Sequence, residues 1–234
     1  MTGSSTIARA ALMSAAVVLG SSVLAPSAWA DTFDFNLAAS NLGAGFTGPF
    51  VAVDVNRTST TTAILTFTSL TNGGFTYLLS DGSSAAANIN ASSFSISSCC
   101  SFTQISGGGF STPTFSIANP PLTSQVDGAG RFNAVIDSSS GYDVASSEID
   151  FTVTNLSGTW ATAASVLTPN PSGNEAAAHV FACVPTCTLA EGATATGFAS
   201  VPGPIVGAGI PGLIALGATG LLGLARRRRN RSLV

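Results

Sequence analysis

Two carboxylates, Glu148 and Asp150, stand two residues apart in Glu148-Ile149-Asp150-Phe151-Thr152-Val153. In a strand, alternate side chains share a face, so the two acids line up on one side. Ile149, Phe151 and Val153 fall on the other. Carboxylates set side by side are the groups that glycoside hydrolysis needs, one as nucleophile or base and one as acid. His179 is the sole histidine, in Ala177-Ala178-His179-Val180-Phe181. Strand parity puts it on the face of Phe181 and Cys183. No G-x-S-x-G supplies a serine partner, so His179 reads as structural. Asp137-Ser138-Ser139-Ser140-Gly141 reads as a turn and not as the Asp-Thr/Ser-Gly of aspartic proteases. The acidic loop residues Asp81, Asp127, Asp137 and Asp143 have calcium-ligand chemistry but fit neither an EF-hand nor a nonapeptide pattern. Trp160, Tyr77 and Tyr142 are too few for a sugar-stacking face and are expected in the core or at its rim.

Glu148-Ile149-Asp150 resembles the first half of the E-x-D-x-E motif of β-sandwich glucanases and laminarinases. That resemblance implies carboxylates as nucleophile, helper and acid/base. Thr152 occupies the third position, so the acid/base is missing. The expectation is therefore an acidic, solvent-facing strand with no catalytic residue, no cofactor and no metal site.

The elements that carry these residues follow from composition. Only 8% of the 234 residues are charged, against about 25% in an ordinary soluble domain. Every basic residue is Arg. Between Asp31 and Ser200 only Arg57 and Arg131 face all eleven acids. A nucleic-acid binder needs a basic face, so that class is excluded. One histidine excludes His-rich metal cages and His-pair catalysis.

Residues 31–200 hold 48 Ser and Thr and all 14 Phe. Thr and Phe favour strands, and good helix formers are nearly absent. Apolar residues alternate with polar ones at Phe33-Phe35-Leu37, Val51-Val53-Val55, Leu65-Phe67, Phe94-Ile96, Phe132-Ala134-Ile136 and Ile149-Phe151-Val153. Turn chemistry separates them at Asn72-Gly73-Gly74, Asp81-Gly82, Gly107-Gly108-Gly109, Asn119-Pro120-Pro121 and Asp127-Gly128. Half-buried strands of this kind predict an all-β fold, an antiparallel jelly-roll-like β-sandwich, with Ser and Thr coating its outside. Ser83 to Ala91 predicts a loop or a short helical turn.

Both ends look like targeting segments. Residues 1–30 form a signal peptide: Arg9, the apolar run Ala10 to Leu24, Pro26, then the small-residue site Ala28-Trp29-Ala30. Cleavage between Ala30 and Asp31 makes Asp31 the mature start. At the other end Ile205 to Ala225 is an uncharged, mainly apolar run. As a helix it covers about 30 Å, one hydrocarbon core. Arg226, Arg227, Arg228 and Arg229 follow, then Arg231. Arg beside a span stays cytoplasmic, so the body lies outside and residues 226–234 inside.

The order of Val201-Pro202-Gly203-Pro204, span, Arg cluster and chain end resembles the PEP-CTERM sorting signal of Gram-negative bacteria. Pro202 and Pro204 match the two prolines of that motif, and Gly203 stands in place of its Glu. The resemblance covers residues 201–234 and implies processing by an exosortase-like membrane enzyme. It also implies an exported protein associated with exopolysaccharide and matrix.

Four cysteines lie in the exported part: Cys99, Cys100, Cys183 and Cys187. An even count in an oxidising compartment predicts disulfides. Adjacent cysteines seldom pair, so two cross-links from Cys99 and Cys100 to Cys183 and Cys187 are expected. Each would close a loop worth about 4 kcal/mol in the chain-entropy model. A local Cys183–Cys187 bridge is the alternative. The functional expectation is a non-enzymatic cell-surface or matrix protein, bound to the membrane through its C-terminal helix at least as a precursor. The alternative is a carbohydrate-binding module for exopolysaccharide; a glycoside hydrolase is less well supported.

Overall fold

The computed structural model describes residues 30–80, 86–91, 93–104, 114–120, 124–138, 144–184, 187 and 192–202. The predicted signal peptide before Ala30, and Gly203, Pro204, the span 205–225 and Arg226 to Arg229, lie outside these residues. So do Asp81, Asp143 and Tyr142. No helix among the described residues is long and apolar enough to cross a membrane.

The chain is all-β and antiparallel. In chain order the strands are β1 (Asp31–Leu37), β2 (Ala39–Ser40), β3 (Val51–Arg57), β4 (Thr62–Ser69), β5 (Thr71–Asn72), β6 (Phe75–Ser80), β7 (Ala87–Ile89) and β8 (Phe94–Gln104). They continue with β9 (Phe115–Ala118), β10 (Ser124–Val126), β11 (Gly130–Phe132), β12 (Ala134–Ser138), β13 (Ala145–Asn155), β14 (Asn174–Cys183) and β15 (Ala195–Pro202). A 3-10 turn spans Ala163–Ser165.

Thirteen strands join in one hydrogen-bonded network, ordered β1-β3-β4-β13-β6-β14-β7-β12-β9. β8 adds to β13, and β15 to β14. β10 and β11 form a separate hairpin. Its turn places Gly128 at φ +75°, a left-handed conformation that an L side chain resists.

The predicted alternations become half-buried strands. Val51, Val53 and Val55 of β3, Leu65 and Phe67 of β4, and Ile149, Phe151 and Val153 of β13 are buried. They share one core with Leu79, Ile89, Ile136, Ala176, Ala178 and Val180 from the other arm of the network. Phe67 stacks on Phe151 at 5.9 Å between ring centroids. At about 25 cal/mol per Å² of apolar area, each such side chain contributes roughly 2–3 kcal/mol on burial.

Two local expectations change. The single run Phe132-Ala134-Ile136 splits into β11 and β12 at Asn133. The Asn133 amide bonds both the carbonyl and the N–H of Ala91, which diverts the chain between partners. Ser83 to Ala91 contains strand β7, held between β14 and β12. The small side chains of Ala86 and Ala87 let it pack there fully buried.

The cysteine cross-links differ from the first expectation and match the alternative at Cys183–Cys187. Cys99 is bonded to Cys100, and Cys183 to Cys187. The first pair sits on β8 against the main core. The second closes the end of β14 in a separate cluster with Leu78, Ala145 and Phe181. The strand order thus puts the pairs on different packing clusters, and bridges between them do not form.

Candidate functional site

β13 positions Glu148, Asp150 and Thr152 on one outward face, as strand parity requires. The register extends that face across five strands. One row runs Asp34, Asp54, Thr66, Asp150 and Ser101 across β1, β3, β4, β13 and β8. A second runs Asn36, Ala52, Thr68, Glu148 and Thr103. A third runs Thr32, Asn56, Ile64, Thr152 and Ser98. The rows hold four carboxylates among hydroxyls and amides, and no Arg.

The carboxylates are held by their neighbours. Ser101 Oγ donates to Asp150 Oδ2 at 3.0 Å, and Thr68 Oγ1 to Glu148 Oε2 at 3.5 Å. Asp34 and Asp54 lie directly opposite each other on paired strands. Partial burial pushes the Asp54 carboxyl up to about 6, helped by a hydrogen bond to Asp34 and by its charge. Two carboxylates this close share a proton below about pH 6.

A groove of about 400 Å³ opens on this face between β13 and β8. Ile64, Cys99, Cys100 and Phe151 supply its apolar surface; Ser98, Ser101, Asp150 and Thr152 supply its polar groups. The β8 register slips where the groove lies. Ser101 pairs with Asp150 and Cys99 with Phe151, leaving Cys100 as the extra residue of a bulge. A bulge bends its strand and re-aims side chains. A second groove, around Thr159 and Trp160, has no charged lining residue.

The other described candidates lie outside these rows. The His179 ring is buried, tilted against Phe198 at 4.9 Å and edge-on to Phe181 at 5.7 Å. Its Nδ1 lies 3.2 Å from the Ser80 carbonyl. Burial pushes its pKa down to about 4, against the pull of that carbonyl, so the ring is neutral at pH 7. Trp160 and Tyr77 are buried. Asp127 accepts from the Asn41 amide at 3.1 Å, and Asp137 stands apart on β12. Among the described residues no three His, Cys, Asp or Glu side chains gather as a metal site.

Two polar features were not visible in the sequence. Asp31, the predicted mature start, bonds the buried Arg57 through Oδ1 and the Ala163 N–H through Oδ2 at 2.7 Å. The Ala163 N–H first, and the guanidinium with it, lower the Asp31 pKa. Glu175 of β14 is 1% exposed, with Oε2 unpartnered, and burial raises its pKa to about 7. A lone acid beside Ala176-Ala177-Ala178 was the available clue. The Asp34–Asp54 pair and the contributions of Ile64, Ser98 and Ser101 depend on register, which spacing alone does not reveal.

No family model, curated protein or solved structure matches this chain.

Proposed function

We propose that this chain is an exported, non-enzymatic β-sandwich protein of the bacterial surface or extracellular matrix. A signal peptide delivers it and a PEP-CTERM-like C-terminus sorts or anchors it. In this reading the strand network folds over one core as a two-layer, jelly-roll-like sandwich. One observation carries the proposal. Strand β1 opens at Asp31, the predicted mature start, and β15 reaches Pro202, inside the predicted sorting motif. The predicted mature start is thus the first residue of the strand network, and the last strand takes in Val201 and Pro202 of the predicted sorting motif, paired with Ala176 and Asn174 of β14. The Asp31 contact with Arg57 gives the first mature residue a structural task that cleavage two residues later would remove. A carbohydrate-binding role is the second reading, favoured by the hydroxyl-rich face and its groove.

The non-enzymatic part rests on the site. Glu148 and Asp150 share a face, but Thr152 stands where the motif requires its acid/base. His179 is enclosed by aromatic rings and a carbonyl. The test is mass spectrometry of the surface-exposed form, with Pro202→Ala/Pro204→Ala and Arg226–229→Ser variants. The proline variant is expected to accumulate as a longer, membrane-bound precursor. The serine variant is expected to slip into periplasm or medium, because the arginines no longer stop transfer. Wild-type processing and retention in both variants would overturn the sorting role.

A further inference from the structure

We infer that the groove between β13 and β8 is a subsite for an amino-sugar ring of a polysaccharide; this deepens the carbohydrate-binding reading and rests on it. Its volume, about 400 Å³, is in the range of small-ligand clefts. A pyranose offers an apolar C–H face and a polar rim, and the groove offers the complement. The Cys99–Cys100 disulfide and the 37%-exposed Ile64 make an apolar floor. Disulfide-bridged neighbours have little rotamer freedom left to lose when a ring settles on them, and sulfur is polarisable. The hydroxyls of Ser98, Ser101 and Thr152 can donate and accept, and the Asp150 carboxylate accepts only. Ser101 already holds Asp150 Oδ2 in place.

Charge selects the class of sugar. Asp34, Asp54, Glu148 and Asp150 stand on the same face in adjacent rows with no Arg between them. A uronic-acid polymer is repelled by such a surface. A free sugar ammonium is attracted to it and can pair with Asp150 beside the apolar floor. No bond is made or broken in this step.

The test is calorimetric titration of the exported protein with glucosamine oligosaccharides, cello-oligosaccharides and oligogalacturonate, at low and raised salt. The glucosamine series is expected to bind at least about tenfold tighter than the cello series, and the galacturonate not at all. Asp150→Asn is expected to erase the preference for glucosamine. Cys99→Ser/Cys100→Ser is expected to weaken both remaining series. Ile64→Ser tests the floor at an exposed position without touching the disulfide, and a weakening there keeps the inference testable if the double variant does not fold. Asp137→Asn, on β12 away from these rows, is the control and should change affinity little. Three outcomes overturn the subsite: no binding, equal binding of all three series, or salt-sensitive binding indifferent to both floor variants. Surface location is scored separately by fractionation. A surface protein that binds no series sinks the groove and the carbohydrate-binding reading and leaves export standing; one that binds sugar indifferently to Asp150→Asn and both floor variants sinks the groove alone; absence from the surface sinks the export reading whatever the binding result.

Discussion

Replacing Glu175 with Gln should stabilise the protein progressively as pH rises. The carboxyl is 1% exposed on the central strand β14, and burial raises its pKa from the ordinary 4.5 to about 7. Below about pH 4.5 the group is protonated in both the folded and the unfolded chain, and stability is undiminished. Between there and pH 7 the unfolded chain releases the proton first, so stability falls. Above pH 7 the folded group ionises too and the loss levels off. Each unit between the two pKa values is worth about 1.4 kcal/mol, so the full loss is at most about 3 kcal/mol. Gln has no proton to release and carries none of this slope. Its buried amide can cost about 1–3 kcal/mol where partners are missing, but that offset does not change with pH. Urea unfolding of the protein, disulfides intact, at several pH values from 4 to 8 measures the difference between variant and wild type. It should move by about 3 kcal/mol in favour of Gln across that range. A difference that stays constant would refute the picture of a carboxyl held neutral by burial.

The remaining predictions use the same measurement. His179 has its folded pKa lowered to about 4, so its contribution is present above pH 6.5 and lost as pH falls toward 4. His179→Ala should cost about 1–3 kcal/mol at pH 7 and less in acid; equal cost at both would count against a neutral buried ring. Asp54→Asn should be close to neutral below pH 4 and stabilising by about 1 kcal/mol above pH 6, a figure reduced for its partial exposure. The reverse trend would refute proton sharing with Asp34. Phe67→Ala empties a buried site stacked on Phe151 and should cost about 3–5 kcal/mol by chemical denaturation. A cost under about 1 kcal/mol would mean that the two arms of the network do not share this core.

The half-buried strands were legible because burial on one face writes period two into the residues. Val51-Val53-Val55 and Ile149-Phe151-Val153 are examples, and they became β3 and β13. β14 is buried along its whole length, so Asn174-Glu175-Ala176-Ala177-Ala178 carries no alternation to read. β7 was hidden for the same reason: Ala86 and Ala87 look like loop residues until two neighbouring strands enclose them. The candidate site was half legible. Parity aligned Glu148 with Asp150 and set His179 beside Phe181, because both are local relations. The row from Asp34 to Ser101 joins five strands, and only pairing register brings it together. The cross-links first expected between the two cysteine pairs do not form on the same ground, since the rarity of adjacent bridges outweighed unseen distances between strands, whereas the local alternative Cys183–Cys187 is the bridge found.

Proposed export of a body that starts at Asp31 and stands outside the cell is tested at the N-terminus of the surface-exposed form. Intact cells would be labelled with a membrane-impermeant reagent, and the labelled protein sequenced from its amino end. The first residues should read Asp31-Thr32-Phe33, with peptides through Val201 accessible to external protease. Labelled protein beginning at Met1 or Thr2, or protein protected from label until cells are lysed, would contradict it.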